Sequence, residues 1–308
     1  MSTTIDQAFV TQFQDQFHVK AQQMKSRLQM YTKRKPGVVV GSSFTVDVLS
    51  SADGYTNRAR HSDLQPVDIQ NERRYADMND YEWPELIDTM DKLKLLIEPG
   101  NSYQSAGIAS CNRFLDRTII NAALGSARTA SGTQALPASQ LVGAGGTGLT
   151  LDKLRATKIL LDEAEMDDSD FFAMSGEHES NKAQYGFGDL TNPSYVIVCT
   201  SAQIDDMLGT TEVKSADYNT VKALSAGAIN TFMGFRFVRV PSAHLPIVGT
   251  TRSLVAYAPR ALEYGVGKEP TARIDFIAHK NSWQVLAETS AGCVRAEDLG
   301  VVQIDCVE

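Results

Sequence analysis

Apolar residues recur at every third or fourth position through the first 31 residues of the chain. They are Ile5, Phe9, Phe13, Phe17, Ala21, Met24, Leu28 and Tyr31. This spacing predicts a helix with one apolar stripe, which needs a surface to cover it. Residues 1–35 also carry six bases against two acids, in a chain whose net charge is −8. Two interpretations stay open: the stripe packs on the chain's own core, or it docks on a neighbouring subunit or partner protein.

Residues 35–83 alternate β-branched runs with polar stretches. Turn signals occur at residues 52–54 and 63–66, so the pattern predicts a long hairpin. The hairpin has too few apolar residues to fold alone. It is therefore stabilised by something outside itself or lies on the body of the same chain.

Two helices are predicted in the middle of the chain. In residues 100–125, apolar positions follow a 3,4,4,3 spacing, with Ser102 placed to cap the start and Gly125 to end the helix. Residues 149–167 form the second predicted helix, with Thr150 as its cap. The 23 residues between them, 126–148, include 16 Gly, Ala, Ser or Thr residues and predict a loop or a weak strand pair.

The second half of the chain is dominated by predicted strands. A strand at 194–200 precedes a short helix with Ser201 as its cap, and residues 215–246 read as a helix, a Met-Gly-Phe corner and a strand. From Ser253 onward, four strand patterns follow, with alternating apolar positions such as Ile274 and Phe276. The fold class is therefore α+β.

Composition excludes several classes of protein. The chain is 43% apolar and 21% charged, as in ordinary folded domains, and its acidity argues against a dedicated nucleic-acid binder. Its four cysteines are far apart and form no CxxC pair, which disfavours a disulfide framework or zinc site and fits a reducing cytoplasm. No apolar run approaches the ~18 residues typical of a membrane-spanning helix.

Two short motifs suggest chemistry, and neither is convincing. Residues 143–148, GAGGTG, match the dinucleotide pattern GxGxxG, and Asp168 lies 20 residues beyond. That pattern needs a buried strand before the glycines, and only Leu141 and Val142 precede it, so a flexible crossing between subdomains is favoured. The acidic GEHE at 176–179 lacks the spacing of zinc or calcium ligands. We therefore predict no catalytic residues, no cofactor and no metal.

The order of the elements resembles that of the tailed-bacteriophage major capsid proteins with the Hong Kong 97-type fold. The resemblance is carried by "DYEWPELIDTMDKLK" leading into "AGIASCNRFLDRTIINAAL", and by "VKSADYNTVKALSAGAINTFMGFRFV" followed by "VRAEDLGVVQIDC". It implies an N-terminal arm at 1–36 and an extended loop at 37–83. The implied peripheral domain, with a long spine helix, covers 84–140 and 265–298, and the implied axial domain covers 141–264 and 299–308.

The resemblance implies a structural subunit, not an enzyme, that self-assembles into the hexamers and pentamers of an icosahedral phage head around double-stranded DNA. Implied partners are a separate scaffolding protein, a portal protein, the packaged DNA by non-specific contact and, where present, a cement or decoration protein. No membrane is involved, and assembly takes place in the host bacterial cytoplasm before the subunit resides in the virion. An encapsulin-like compartment shell and, as the weaker alternative, a nucleotide-binding enzyme using the glycine loop stay open.

The resemblance also assigns residues to surfaces. Subunit-interface residues are Phe9, Phe13, Phe17, Arg58, Arg60, Arg73 and Arg74, and axial-domain core residues are Ile229, Phe232, Gly234 and Phe235. Residues 173–193 read as an insertion on a surface-exposed axial loop. Some shells of this fold join a loop lysine to an asparagine of a neighbour, but no lysine lies between Lys35 and Lys92. Because arginine stays protonated and is no nucleophile, we expect ion pairs to neighbouring carboxylates in place of a cross-link.

Overall fold

The structure is a computed structural model, and it describes residues 22–50, 52, 54, 66–89, 100–165, 195–209 and 231–308. Its helices are α1 (Gly100–Leu124), α2 (Leu151–Glu163) and α3 (Ser201–Gly209). Its strands are β1 (Lys33–Arg34), β2 (Ser43–Leu49), β3 (Asn71–Asp77), β4 (Asn79–Asp88), β5 (Ala127–Thr129), β6 (Gly132–Gln134), β7 (Leu141–Val142), β8 (Tyr195–Cys199), β9 (Thr231–Phe232), β10 (Phe235–Arg239), β11 (Ile247–Val248), β12 (Thr251–Tyr257), β13 (Leu262–Ile277), β14 (Ser282–Arg295) and β15 (Val301–Val307). The α+β class is confirmed.

The chain divides into two compact units. Of the described residues, the smaller unit contains 22–25, 80–89, 100–114 and 268–290, and the larger one contains the rest. None of the helices in the described part of the chain combines the length and the apolar character that crossing a membrane requires.

A seven-stranded sheet forms the centre of the larger unit. Its order is β7-β15-β12-β8-β10-β9, with β11 paired to β12. All five residues of β8 are buried, which explains why its sequence is a continuous apolar run and not an alternating one. Leu154 and Leu161 of α2 and Met207 of α3 join the same core.

Helix starts follow side-chain capping. Thr150 caps α2 as predicted, since its hydroxyl accepts from the backbone N–H of Lys153 at 3.4 Å. The cap predicted at Ser201 is wrong by one residue, because the Thr200 hydroxyl accepts from the N–H of Ala202 at 3.3 Å. The Ser102 prediction is also wrong, because α1 already begins at Gly100.

The smaller unit packs one face of α1 on strands. Tyr81 of β4 stacks on Phe114, with ring centroids 4.8 Å apart, and its hydroxyl lies 2.7 Å from that of Ser110. A side chain at Gly107 would collide with Ala287 and Trp83, so the helix approaches the strands as closely as glycine allows. The apolar alternation predicted at Ile274 and Phe276 does not contribute to a core. Ile274 is 37% exposed and Phe276 is 49% exposed.

The predicted long hairpin is present as β2 and β3, which pair antiparallel from Ser43 opposite Asp77 to Leu49 opposite Asn71. β5 and β6, the predicted weak strand pair, extend this sheet to four strands. Phe44, Val46 and Ala76 are buried against a second small core. The base of the hairpin therefore rests on the body of its own chain.

The residues just before β1 correct the prediction of one long arm helix. Residues 22–28 are not helical, and a single 3-10 turn covers Gln29–Tyr31. Leu28 is fully buried and Tyr31 is 7% exposed, both in the central core. The Asp116 carboxylate, itself fully buried, accepts from the Ser26 hydroxyl at 2.6 Å and from the N–H groups of residues 27 and 28. These contacts make the end of the predicted arm part of the subunit core.

The Met-Gly-Phe corner is a two-residue turn between β9 and β10. Met233 and Gly234 have φ values of 53° and 85°, the left-handed pair that a tight hairpin turn requires. Phe235 is fully buried and Phe232 packs partly buried against the core. Gly234, in contrast, is exposed, so it shapes the turn and does not fill the core.

Candidate assembly surface

Arg73 lies on the exposed side of the hairpin, where it pairs within its own chain. Its Nε and Nη2 donate to the two carboxylate oxygens of Asp47 at 2.6 and 3.2 Å, across the β2–β3 ladder. The hydrogen bond from Arg73 holds the pKa of Asp47 below its ordinary value. The pair is more than half exposed at both side chains, so Arg73 can exchange this partner for a carboxylate of another molecule at little cost.

Arg74 lies on the opposite side of β3 and is 4% exposed, which removes it from any contact surface. Its Nη2 donates to Asp298 at 2.9 Å and to Glu72 at 3.0 Å. The prediction that Arg74 contacts a neighbouring subunit is therefore wrong. A residue in a strand of alternating exposure gives no local sign of a partner 224 positions away.

Asp298 holds a second buried arginine as well. Arg295, fully buried at the end of β14, donates from Nε to Asp298 at 2.5 Å. Its remaining nitrogens donate to the carbonyls of Ala123, Gly125 and Gln134 at 3.0, 2.6 and 2.9 Å. We call Arg74, Arg295 and Asp298 the hairpin clamp, because it ties β3 to the end of α1 and to β6.

Side chains of the same chain contact the glycine loop at 143–148. Lys153, 7% exposed, donates from Nζ to the carbonyls of Thr147, Gly148 and Asp305 at 2.8, 2.8 and 2.9 Å. The Asp206 carboxylate accepts from the N–H of Leu149 at 3.2 Å, just before α2. The position where a dinucleotide would present its pyrophosphate therefore already carries a negative side chain, which opposes the nucleotide-binding alternative.

Replacing Lys153 with Met is expected to lower the free energy of unfolding by about 1–3 kcal/mol, because three partly buried carbonyls lose the charged donor that they share. Urea denaturation followed by circular dichroism measures the change. Lys158→Met on the same helix is the matched control, since Lys158 makes no hydrogen bond or ion pair within the described residues. Equal stability of the two variants would show that the lysine does not hold the loop.

The cysteines carry no reactive signature. All four are free, and burial raises the pKa of Cys199 to about 12 and that of Cys306 to about 11. Such thiols stay protonated at neutral pH and are poor nucleophiles and metal ligands. Within the described ranges, His, Cys, Asp and Glu side chains form no group of three that could hold a metal ion.

Several predicted residues lie outside the described residues. These are Phe9, Phe13, Phe17, Arg58, Arg60 and Ile229, together with the acidic GEHE, Asp168 and the predicted insertion at 173–193. Their assignments stay predictions.

Comparison with known proteins gives a consistent result. A family model described as "Phage capsid protein" matches residues 5–308. The fold is similar to that in the Cyanophage Pam1 capsid asymmetric unit, with TM-score 0.68, 13% identity, and coverage of 100% of this chain and 98% of that one. A Mycobacterium phage Che8 structure gives TM-score 0.60, 15% identity, and coverage of 96% and 97%. No curated protein matches the chain.

Proposed function

This chain belongs to the phage capsid protein family and is a major capsid protein that forms a phage head shell, and from this premise we propose how it assembles. It forms hexamers and pentamers of an icosahedral head that encloses double-stranded DNA. Assembly takes place in the host bacterial cytoplasm, with a separate scaffolding protein and a portal protein. A cement or decoration protein joins where the head carries one.

The observation that supports this proposal most is the hairpin. Its base, β2 and β3, is built into the subunit by the hairpin clamp, while Leu49, opposite Asn71 at the far end of the ladder, is 71% exposed. Twenty-one further residues connect those two positions. Because the base of the hairpin is firmly anchored and the connecting residues 50–70 are mostly polar, the hairpin is suited to a contact between copies.

We also propose the domain division that the resemblance implies. The arm covers 1–36, the extended loop 37–83, the peripheral domain 84–140 and 265–298, and the axial domain 141–264 and 299–308. The end of the arm differs from the rest of the proposal in one respect, since Leu28 and Tyr31 are buried in the subunit core.

The proposed role is structural and not enzymatic. The glycine loop is occupied by Lys153 and Asp206, and the buried thiols are protonated. Both features support the role of a shell subunit, which forms contacts with other copies and carries out no reaction.

Expression of the chain with the head-assembly proteins of its own virus, followed by electron microscopy, tests the proposal. Closed icosahedral shells with rings of five and six subunits are expected. Persistent monomers under all assembly conditions would contradict the proposal, and shells that enclose protein cargo in place of DNA would favour a compartment.

Mature particles are expected to run as a single band near 33.6 kDa in denaturing electrophoresis. The physical reason is that the extended loop has no lysine, and its arginines cannot attack an amide. A ladder of oligomers that survives reducing conditions would contradict this expectation.

A further inference from the structure

A basic surface lies in the larger unit, where the segment before β1 contacts α1. Arg27 and Arg117 are both exposed there. The Asp116 carboxylate, which directly precedes Arg117 on α1, accepts from the backbone N–H of Arg27 at 3.0 Å, so the two arginines lie in the same region. The exposed Arg239 joins them from the end of β10, because its carbonyl accepts from Nη1 of Arg27 at 2.6 Å. We call Arg27, Arg117 and Arg239 the arginine surface.

The elements that carry the arginine surface contain almost no acid. Residues 26–35 hold four bases and no acid, and β10 holds two bases and no acid. The single acid of α1 is Asp116, which is fully buried and accepts from the N–H groups of residues 27 and 28. In a chain with a net charge of −8, these elements are therefore a local concentration of positive charge.

Other exposed arginines have acidic partners within the chain. Five of them, with side chains 51–59% exposed, pair with an Asp or Glu carboxylate: Arg73, Arg128, Arg155, Arg260 and Arg273. Arg27 and Arg117 differ from these five, since neither forms an ion pair with any described residue. Their positive charge is therefore available to a partner outside the chain.

The lysines that follow Arg27 in sequence are used inside the subunit. Lys33 lies 3.0 Å from the Glu263 carboxylate, where β1 pairs with β13. Lys35 donates to the carbonyl of Thr45 at 2.7 Å and lies over the ring of Phe44. Both ammonium groups therefore already have partners within the subunit, and they do not extend the arginine surface.

We propose that the arginine surface binds the backbone phosphates of the packaged double-stranded DNA. Guanidinium groups bind phosphate oxygens through two parallel hydrogen bonds, and contacts to phosphates do not depend on base sequence. A subunit with a net charge of −8 repels DNA as a whole, so contact with the packaged DNA requires a local positive surface. This inference rests on the proposed function, because it requires a shell that encloses DNA. It names the residues that meet the DNA.

Two other partners of the shell subunit can also present negative charge. They are an acidic segment of the scaffolding protein and a carboxylate surface of a neighbouring copy. The three partners differ in when they are present: the scaffolding protein acts during assembly, a neighbouring copy is present in every assembled form, and DNA is present only in filled heads. Comparison of particles at these stages therefore separates them.

The test measures the chemical reactivity of the arginines in particles built from the natural chain. Soluble subunits, precursor shells that contain scaffolding protein, empty shells and DNA-filled heads are treated with phenylglyoxal, which modifies exposed guanidinium groups. Mass spectrometry then gives the modified fraction at each arginine. Arg155 and Arg260 are the matched controls, because both are exposed arginines of the same unit with an acidic partner in their own chain.

Modification of the arginine surface is expected to fall at least about fivefold in DNA-filled heads relative to empty shells, because bound phosphates cover the guanidinium groups. Modification of Arg155 and Arg260 is expected to stay the same. Equal modification of the arginine surface in filled and empty particles would overturn the proposal, and so would equal protection of the controls. Protection confined to precursor shells would assign the surface to the scaffolding protein, and protection in every assembled form would assign it to a contact between copies.

A second measurement compares Arg27→Gln with Arg117→Gln against Arg155→Gln with Arg260→Gln, which changes the net charge equally. Thermal unfolding of the soluble subunits verifies that both variants are folded. Both are expected to form shells in natural yield, and only the first is expected to release its DNA at a lower temperature, because phosphates lose their positive partners.

An unchanged release temperature in the first variant would contradict the proposal. Loss of shells in the first variant alone would also overturn it, since the surface would then be needed for assembly. These outcomes differ from failure of the proposed function, in which the natural chain itself forms no shells or its shells enclose no DNA.

Discussion

Removal of residues 1–35 is expected to abolish cooperative folding of the subunit. The deletion takes away Leu28 and Tyr31, which are buried in the central core, and burial of each such side chain contributes about 1.5–3 kcal/mol. It also removes the Ser26 hydroxyl and the two N–H groups that donate to Asp116. Because the Asp116 carboxylate is fully buried, water cannot replace these donors. Losses of this kind approach the whole stability of a typical domain.

The informative comparison is a shorter deletion, of residues 1–21, which leaves all of these contacts in place. We expect that variant to unfold cooperatively in a urea titration and to be impaired in forming particles, since it lacks the stripe with Phe9, Phe13 and Phe17. Leu28→Ala in the full chain should lose about 2–5 kcal/mol. A cooperative transition of natural amplitude after removal of all 35 residues would refute the assignment of Leu28 to the core.

Replacing Asp298 with Ala is expected to cost about 3–5 kcal/mol of unfolding free energy. This carboxylate is the shared partner of Arg74 and Arg295, which are 4% and 0% exposed. Without it, two guanidinium groups stay buried with their charge uncompensated by Asp298. The free energy of unfolding, extrapolated from urea denaturation, measures the loss.

Asp47→Ala is the matched control for this experiment, because it also removes the carboxylate of an arginine pair in the same hairpin. The Asp47–Arg73 pair is exposed to solvent, so its loss should change the transition midpoint little. Similar effects for the two variants would show that burial does not determine the strength of the clamp.

Local periodicity accounts for the parts of the fold that were predicted well. The long helix α1, the capped helix α2 and the strands after Ser253 each carry their pattern within a few turns or residues. The tight turn at Met233 and Gly234 was likewise visible as a corner. Such features depend on neighbours in sequence, and a single sequence displays them directly.

The errors have a different origin. Leu28 and Tyr31 continue a helical spacing, yet the segment leaves the helix because Asp116, 88 residues away, captures its N–H groups. Arg74 looks like its exposed neighbour Arg73, and only the folded chain brings Asp298 to it. Pairs of residues this far apart in sequence produce no periodic pattern in the sequence. The hairpin clamp could therefore not be predicted.

The position of the last strand has a consequence for how the protein is made. Among the described strands of the large sheet, β15 comes last in chain order, yet it lies inside that sheet, parallel to β7 and antiparallel to β12. The sheet therefore stays incomplete until β15 has been synthesised, and until then β7 and one edge of β12 lack this partner in the nascent chain. Unpaired strand edges of this kind pair readily with other chains, so the incomplete sheet is a point at which newly made copies can associate wrongly.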